Sequence, residues 1–336
     1  MNERRGSMLK LLVSRFFYAC VIILGVVLVV SSLVKLVPGD PVDVIAAGNP
    51  GMSVADMDRL RERMGLTRSI PEQFASYLGH AVQGDMGTSI RQGVPVTKLI
   101  AERLPATAEL AFWALVLAFI FAIPLGIATA LKRGSWLDYT GTFIAVLGVS
   151  TPGFLLAVLM ILWFSIELRW LPASGYRGSA LLAVGKAVVE GKFSVFWNAF
   201  RYFILPAISL AFVLIAVNAR VIRSAMLEVL QQDFITFATA KGVPRLRIVL
   251  RHALRNALLP VVTLAGLQMG ALLSGTVVIE TVFAWPGIGR LAVDSIHVRD
   301  YPIIQAVVLV SAVLFIVLNL TVDILYRFID PRVRDD

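Results

Sequence analysis

Gly148-Val149-Ser150-Thr151-Pro152 opens like a nucleophile elbow, the strained turn that lifts a serine between two glycines, but proline stands where the second glycine belongs. The segment reads better as a Gly/Ser/Pro break in an apolar run. The three histidines, His80, His252 and His297, are scattered, with no His-Glu-x-x-His and no cysteine partner, so nothing has zinc-ligand spacing. Cys20 is the sole cysteine and cannot close an intrachain disulfide. The Gly-Lys pairs at 185–186 and 191–192 are not followed by Ser or Thr, so no phosphate cradle of the G-x-x-x-x-G-K-[ST] kind exists. Nothing in these patterns argues for an enzyme, and no resident metal or cofactor is expected.

The composition explains why. Of 336 residues, 58% are hydrophobic and 16% charged, with mean hydropathy +0.81, whereas a soluble domain carries about a quarter charged residues. An integral membrane protein is implied. The net charge of +9 would point to nucleic acid in a soluble chain. In a membrane protein, basic residues gathered at the cytoplasmic ends of spans account for it without nucleic acid. Six stretches without Asp, Glu, Lys or Arg are long enough to cross: Phe16–Val34, Leu110–Leu131, Tyr139–Ile166, Tyr202–Ala219, Asn256–Ile279 and Tyr301–Val322. Phe193–Phe200 is too short. The first stretch exceeds a signal-peptide core and has no small-residue cleavage site after it, so it reads as a retained span. Pro124, Pro152, Pro206 and Pro260 place a bend in each of four spans. The expected fold is all-α, with six transmembrane helices.

With the N-terminus inside, segments 1–15, 132–138, 220–255 and 323–336 are cytoplasmic and hold about half of the 31 basic residues, as the positive-inside rule requires. Both termini are then cytoplasmic. Residues 38–109 are external and slightly acidic. Within them, 53–65 reads as a short charged helix capped by Ser53 and stopped by Gly65, 71–81 as a second helix, and 84–93 as a turn-rich loop. Residues 167–201 carry no strong signal. The domains expected are a first span plus external helical region (1–109), a five-helix core (110–330) containing the loop 220–256, and a tail (331–336).

Carriers driven by ions or protons need charged groups at mid-membrane, and the span centres here are nearly free of them. Gln268 is the main polar candidate for lining a pathway, although a helix–helix hydrogen bond would serve it equally. Ser150 and Ser274 are the other candidates. Glu109, Glu280 and Asp323 lie at span edges, where solvated carboxylates are expected. Such a bundle needs an external energy source.

The loop between the fourth and fifth spans is where that source would act. Asp233 is an expected N-cap for a helix over 234–241, in which Phe234, Phe237 and Ala238 share a face at i, i+3, i+4. Lys241 suits the negative end of its dipole, Gly242 a left-handed cap, and Pro244 the start of the next helix, 245–258, with Arg245, Arg247, Arg251 and Arg255 facing lipid phosphates or water. Two turns of helix are unstable alone and must dock on something.

The phrase Asp233-FITFATAKGVP-Arg245, followed by His252-ALRNALLP-Val261, resembles the cytoplasmic loop of ABC importer permeases of the dipeptide, oligopeptide, glutathione and nickel class. Further matching segments are Pro38-Gly39-Asp40-Pro41, Gly84-DMGTSI-Arg91, Leu104-PATAEL-Ala111, Trp170-LPASG-Tyr176, Glu280-TVFAWPGIG-Arg290, Arg299-DYP-Ile303 and Asp330-PR-Val333. Together they span roughly residues 8–334. The general loop signature begins Glu-Ala-Ala, where this chain has Thr236-Phe237-Ala238.

The resemblance implies a type I importer permease fold in a bacterial inner membrane and a non-catalytic subunit. The coupling helix, with Asp233, Phe234, Phe237, Ala238, Lys241 and Gly242, would dock on one of two cytoplasmic ATPase subunits, which bind the ATP and Mg. It further implies a second homologous permease, an external solute-binding protein contacting Trp285, Pro286 and Gly287, and a peptide cargo, with nickel or another small solute as the alternative. An autonomous carrier or channel, and a membrane scaffold that merely recruits a soluble protein, are the readings from other classes.

Overall fold

The computed structural model of the chain describes residues 17–18, 21–29, 32, 41–48, 51–63 and 65–329. Among these, regular structure is helical apart from an isolated bridge between Thr88 and Pro95. The helices used below are α1 (Pro41–Ala47), α2 (Val54–Arg63), α3 (Ile70–Val82), α4 (Val96–Leu131), α5 (Trp136–Ser150), α6 (Gly153–Glu167), α7 (Ala180–Glu190), α8 (Phe193–Leu230), α9 (Asp233–Ala240), α10 (Arg245–Ala257), α11 (Leu259–Gly275), α12 (Val277–Val282), α13 (Ile288–His297) and α14 (Tyr301–Ile329). The chain divides into two compact units, one of residues up to 105 with 286–317, the other of 106–285 with 318 onward.

In the first unit the expected short helices form. Ser53 Oγ accepts the Asp56 amide at 3.2 Å, capping α2, and Gly65 adopts φ +67° just beyond it. In α3, Glu72 accepts from the Ser69 amide at 3.0 Å. The loop 84–93 turns at Gly84, Gly87 and Gly93, all with positive φ. Val96, Leu99 and Ile100 of α4 bury against Ile288 and Leu291 of α13 and Ile303 and Val307 of α14.

In the second unit, small residues set how closely helices approach, as in membrane bundles that lack a strong hydrophobic drive between helices. A Cβ on Gly148 of α5 would stand 2.9 Å from Ala216 Cβ of α8, and one on Gly126 of α4 would stand 2.7 Å from Ile222 Cβ of α8. A cluster at one end gathers Ile222, Met226 and Val229 of α8, Ile235 of α9, and Ile248, Val249 and Ala253 of α10.

Three helices among the described residues are long and apolar enough to cross a membrane: α4, α8 and the 301–322 part of α14. They contain the expected second, fourth and sixth spans. The expected third span is not a straight crossing. It is α5 and α6, bent by 101° at Thr151-Pro152, where the Gly/Ser/Pro break was expected. The expected fifth span, 256–279, begins at a second break, a 51° bend between α10 and residues 259–273 of α11. Pro124 and Pro206 sit inside helices that continue through them. The run 193–200, too short by itself, is the first part of the 38-residue α8. The first expected span lies partly outside the described residues. Residues 167–201, where no signal was read, contain α7, capped by Ser179 Oγ accepting the Leu182 amide at 3.1 Å and closed by left-handed Gly191.

Candidate functional site

The loop after α8 is built around a Schellman stop. Gly242 has φ +74°; its amide donates to Thr239 O at 2.9 Å, and the Val243 amide donates to Ala238 O at 3.2 Å. These two bonds satisfy the last carbonyls of α9 and turn the chain towards Pro244, which opens α10. Asp233 is the first helical residue, and Gln232 takes the cap position expected for it. The Asp233 carboxylate therefore acts on the positive end of the helix dipole from within the first turn.

The faces of α9 also differ from the expected grouping. Ile235 is buried and Ala238 packs beside it on the α8–α10 cluster, whereas Phe234 and Phe237 are 39% and 62% exposed. Residues 235 and 238 form one i, i+3 pair and 234 and 237 another, so Ala238 belongs to the inner face. Lys241 Nζ lies 4.5 Å from the centroid of the Phe237 ring. The result is an aromatic pair with a cation above it, presented outward by a helix anchored through Ile235. Arg245, Arg247, Arg251 and Arg255 are exposed on α10.

The motif segments elsewhere meet in pairs. Glu280 is fully buried, and its Oε1 accepts from both Thr107 Oγ1 and Thr276 Oγ1 at 2.7 Å. Trp285 has no exposed surface; its indole N–H donates to Ala106 O at 3.0 Å, and its ring meets Tyr176 and Phe203 edge-on. The Gly175 amide donates to Phe283 O at 3.0 Å. Within the second unit, parts of these segments, 106–111, 175–176 and 280–285, thus meet. In the other unit, Asp300 is buried and accepts from Ser89 Oγ at 2.6 Å and from the amides of Ile90 and Arg91, joining segments 84–91 and 299–303.

Residues 8–111 match the N-terminal component, and residues 122–335 the main component, of the family described as the binding-protein-dependent transport system inner membrane component. The chain belongs to this family.

It is an ABC importer permease subunit. Over 335 residues it is 39% identical to the dipeptide transport system permease protein DppB of Alkalihalophilus pseudofirmus, covering 97% of this chain and 100% of that one. It is 42% identical to the probable D,D-dipeptide transport system permease protein DdpB of Escherichia coli K12, covering 93% and 94%. With the glutathione transport system permease protein GsiC of Pectobacterium atrosepticum the identity is 40%, covering 97% and 99%. A solved structure of the inward-facing MetNI methionine ABC transporter matches 69% of this chain and 96% of its own with TM-score 0.55 at 18% identity, which is a likeness of fold.

Several site expectations for this permease are corrected. Glu109 and Glu280 are not solvated heads at span edges: Glu109, 5% exposed, accepts the Leu181 amide at 2.7 Å at the start of α7. Asp323 lies outside the residues whose side chains are described. Trp285 is enclosed, so its indole cannot be the surface that meets a binding protein. Pro286 is half-buried and Gly287 buried. Gln268 is in a helix–helix bond, accepting from Asn218 Nδ2 at 2.9 Å between α11 and α8, and both side chains are buried. Ser150 is exposed at the tip of α5 beside the break. The side chain of Ser274 is outside those described.

The Asn218–Gln268 bond has a measurable worth. A double-mutant cycle with Asn218→Leu and Gln268→Leu, followed by thermal unfolding in detergent, is expected to give a coupling of about 0.6 kcal/mol and no more than about 1.7. A coupling of zero would mean the bond contributes nothing to helix association.

Two further features are set by the fold and have no local sequence motif. The first is an ion pair in which Arg223 of α8 meets Asp138 of α5 through two bonds, Nε to Oδ1 at 2.7 Å and Nη2 to Oδ2 at 2.9 Å. Opposite charges at the ends of neighbouring spans were the available hint. The second is a cavity of about 550 Å³ in the first unit, lined by Arg68, Tyr77, His80, Asp85, Tyr301 and Gln305 among others. Burial pushes the Tyr77 phenol up to about 12, so it stays protonated.

Proposed function

We propose that this permease forms half of the translocation pore of an ATP-driven importer for di- and oligopeptides. A second, homologous permease completes the pore. Two cytoplasmic ATPase subunits, which bind the ATP and Mg, receive the α9 knobs, and an external solute-binding protein delivers the peptide. Both chain termini then lie in the cytoplasm, because this places the Arg-rich α10 on that side.

The observation that carries the reading is the exposure of Phe234 and Phe237 on a two-turn helix anchored by buried Ile235. Exposed aromatics on so short an element cost solubility unless a groove covers them, and rigid aromatic anchors are what groove docking uses. Asp233, Lys241 and Gly242 complete the docking element by charge and by chain reversal. Peptide as cargo is supported by relatives named for dipeptides, D,D-dipeptides and glutathione, each near 40% identical over almost the whole chain.

The test is a pull-down of the tagged chain from native membranes in mild detergent. A second permease and a nucleotide-binding ATPase are expected to co-purify, with the ATPase lost on Phe237→Asp. Recovery of this chain alone in several detergents would overturn the proposal. Titrating the associated binding protein with peptides and with Ni²⁺ then decides the cargo.

A further inference from the structure

We infer that the Asp138–Arg223 ion pair is a positioning latch for transport, tying the first half of the broken third span to the helix that leads into the coupling loop. The inference rests on α9 being the coupling helix, and it names how movement of α9 reaches the span that bends at Thr151-Pro152.

The pair is made with more care than a packing contact needs. The Asp138 carboxylate is 8% exposed and takes three donors: two from Arg223 and the Gly134 amide at 3.0 Å. Gly134 itself has φ +74°, so the tight turn between α4 and α5 is shaped to aim that amide. The planar guanidinium fork fixes both distance and rotation, which a lysine or an apolar pair would not. Arg223 keeps 28% of its side-chain surface exposed, and an ion pair so placed adds little stability, so what it supplies is geometry.

Its position gives that geometry a use. Arg223 follows Ile222 on α8, and adjacent helical residues point about 100° apart. Ile222 packs into the cluster that holds Ile235 of α9 and Ile248 and Val249 of α10, while Arg223 reaches α5. One turn of α8 therefore grips the coupling loop on one side and α5 on the other. Farther along, Gly148 seats against Ala216, so α5 is held at two places before the 101° turn. A push on α9 that displaces this end of α8 carries α5, and the break beyond it, along.

The test uses the complete transporter in proteoliposomes with its binding protein and a labelled dipeptide, reading peptide taken up per ATP hydrolysed. Arg223→Gln and Asp138→Asn are expected to assemble with the ATPase and hydrolyse ATP, with that ratio roughly tenfold lower. The exchange Asp138→Arg with Arg223→Asp is expected to regain most of it, and Asp138→Leu with Arg223→Leu to regain none. An unchanged ratio in Arg223→Gln overturns the latch. So does a Leu pair that couples as well as the exchanged pair, or an exchanged pair that assembles without coupling. Absence of the ATPase from the wild-type preparation would instead overturn the proposed function itself.

Discussion

Gly242→Pro is expected to abolish uptake, by a factor of at least about a hundred, while the protein still inserts in the membrane. Proline fixes φ near −65° and has no amide hydrogen, whereas Gly242 has φ +74° and donates to Thr239 O. Proline also disfavours helical geometry at the residue before it, here Lys241, which ends α9 at φ −74° and ψ 0°. The Schellman stop is lost, α10 leaves in another direction, and Ile235 is drawn out of its cluster. A Cβ at this position would meet nothing within 4 Å, so the effect is one of backbone and not of crowding. Gly242→Ala is expected to be milder, costing about 1–2 kcal/mol for a left-handed alanine, and Gly242→Asn milder still, since asparagine tolerates that conformation. Uptake into vesicles, measured beside resistance to alkaline extraction, checks the series. Normal uptake in the proline variant would remove the coupling role from this turn.

The second large effect is on stability. Trp285→Ala is expected to cost about 3–5 kcal/mol, the range for emptying the site of a large buried aromatic. Trp285 has no exposed surface and sits between Tyr176 and Phe203, with ring centroids 4.9 and 4.5 Å away. Trp285→Phe keeps much of that packing and gives up the bond to Ala106 O, so about 1–2 kcal/mol is expected. Thermal unfolding in detergent, followed by size exclusion, distinguishes the two. If the alanine variant melted with the wild type, the buried cluster would have to be redrawn. This is also why the 280–290 segment is a poor guide to a docking surface: its most conspicuous side chain is spent inside.

The contrast between Trp285 and Phe237 shows what local sequence can express. Helix stops are local chemistry, so the Ser53 cap, the Gly65 stop and the Gly242 reversal were legible from a few residues each. Burial depends on residues far along the chain. The acceptor for Trp285 is on Ala106, the hydroxyls that sheathe Glu280 include Thr107, and the amide held by Glu109 is that of Leu181. None of these distant partners changes the pattern around the carboxylate or indole, so solvated heads and an exposed tryptophan were the natural local reading. A charge-free criterion likewise stopped at Arg201, although its guanidinium lies 5.3 Å from the centroid of the Tyr202 ring and α8 runs on through it. In α9, helical periodicity placed the helix to within a residue. Which i, i+3 pair faces inward was decided by the α8–α10 cluster.

The bend between α5 and α6 has a bearing on how the chain is made. α5, with 15 residues, is about 22 Å long, short of the roughly 30 Å hydrocarbon layer. Gly141 of α5 seats on Thr129 of α4, but Ala216 and Arg223 against α5 and Leu205 beside Ala157 of α6 belong to α8, and Ile279 of α12 and Phe283 just beyond it join Ala157 as well. α8 is synthesised later. Segment 136–167 therefore leaves the ribosome before all the surfaces that define its shape exist, and its angle is complete only once residues up to 283 have followed. Insertion and folding are separate events here, and a defect in α8 would be felt first in a helix pair already through the translocon.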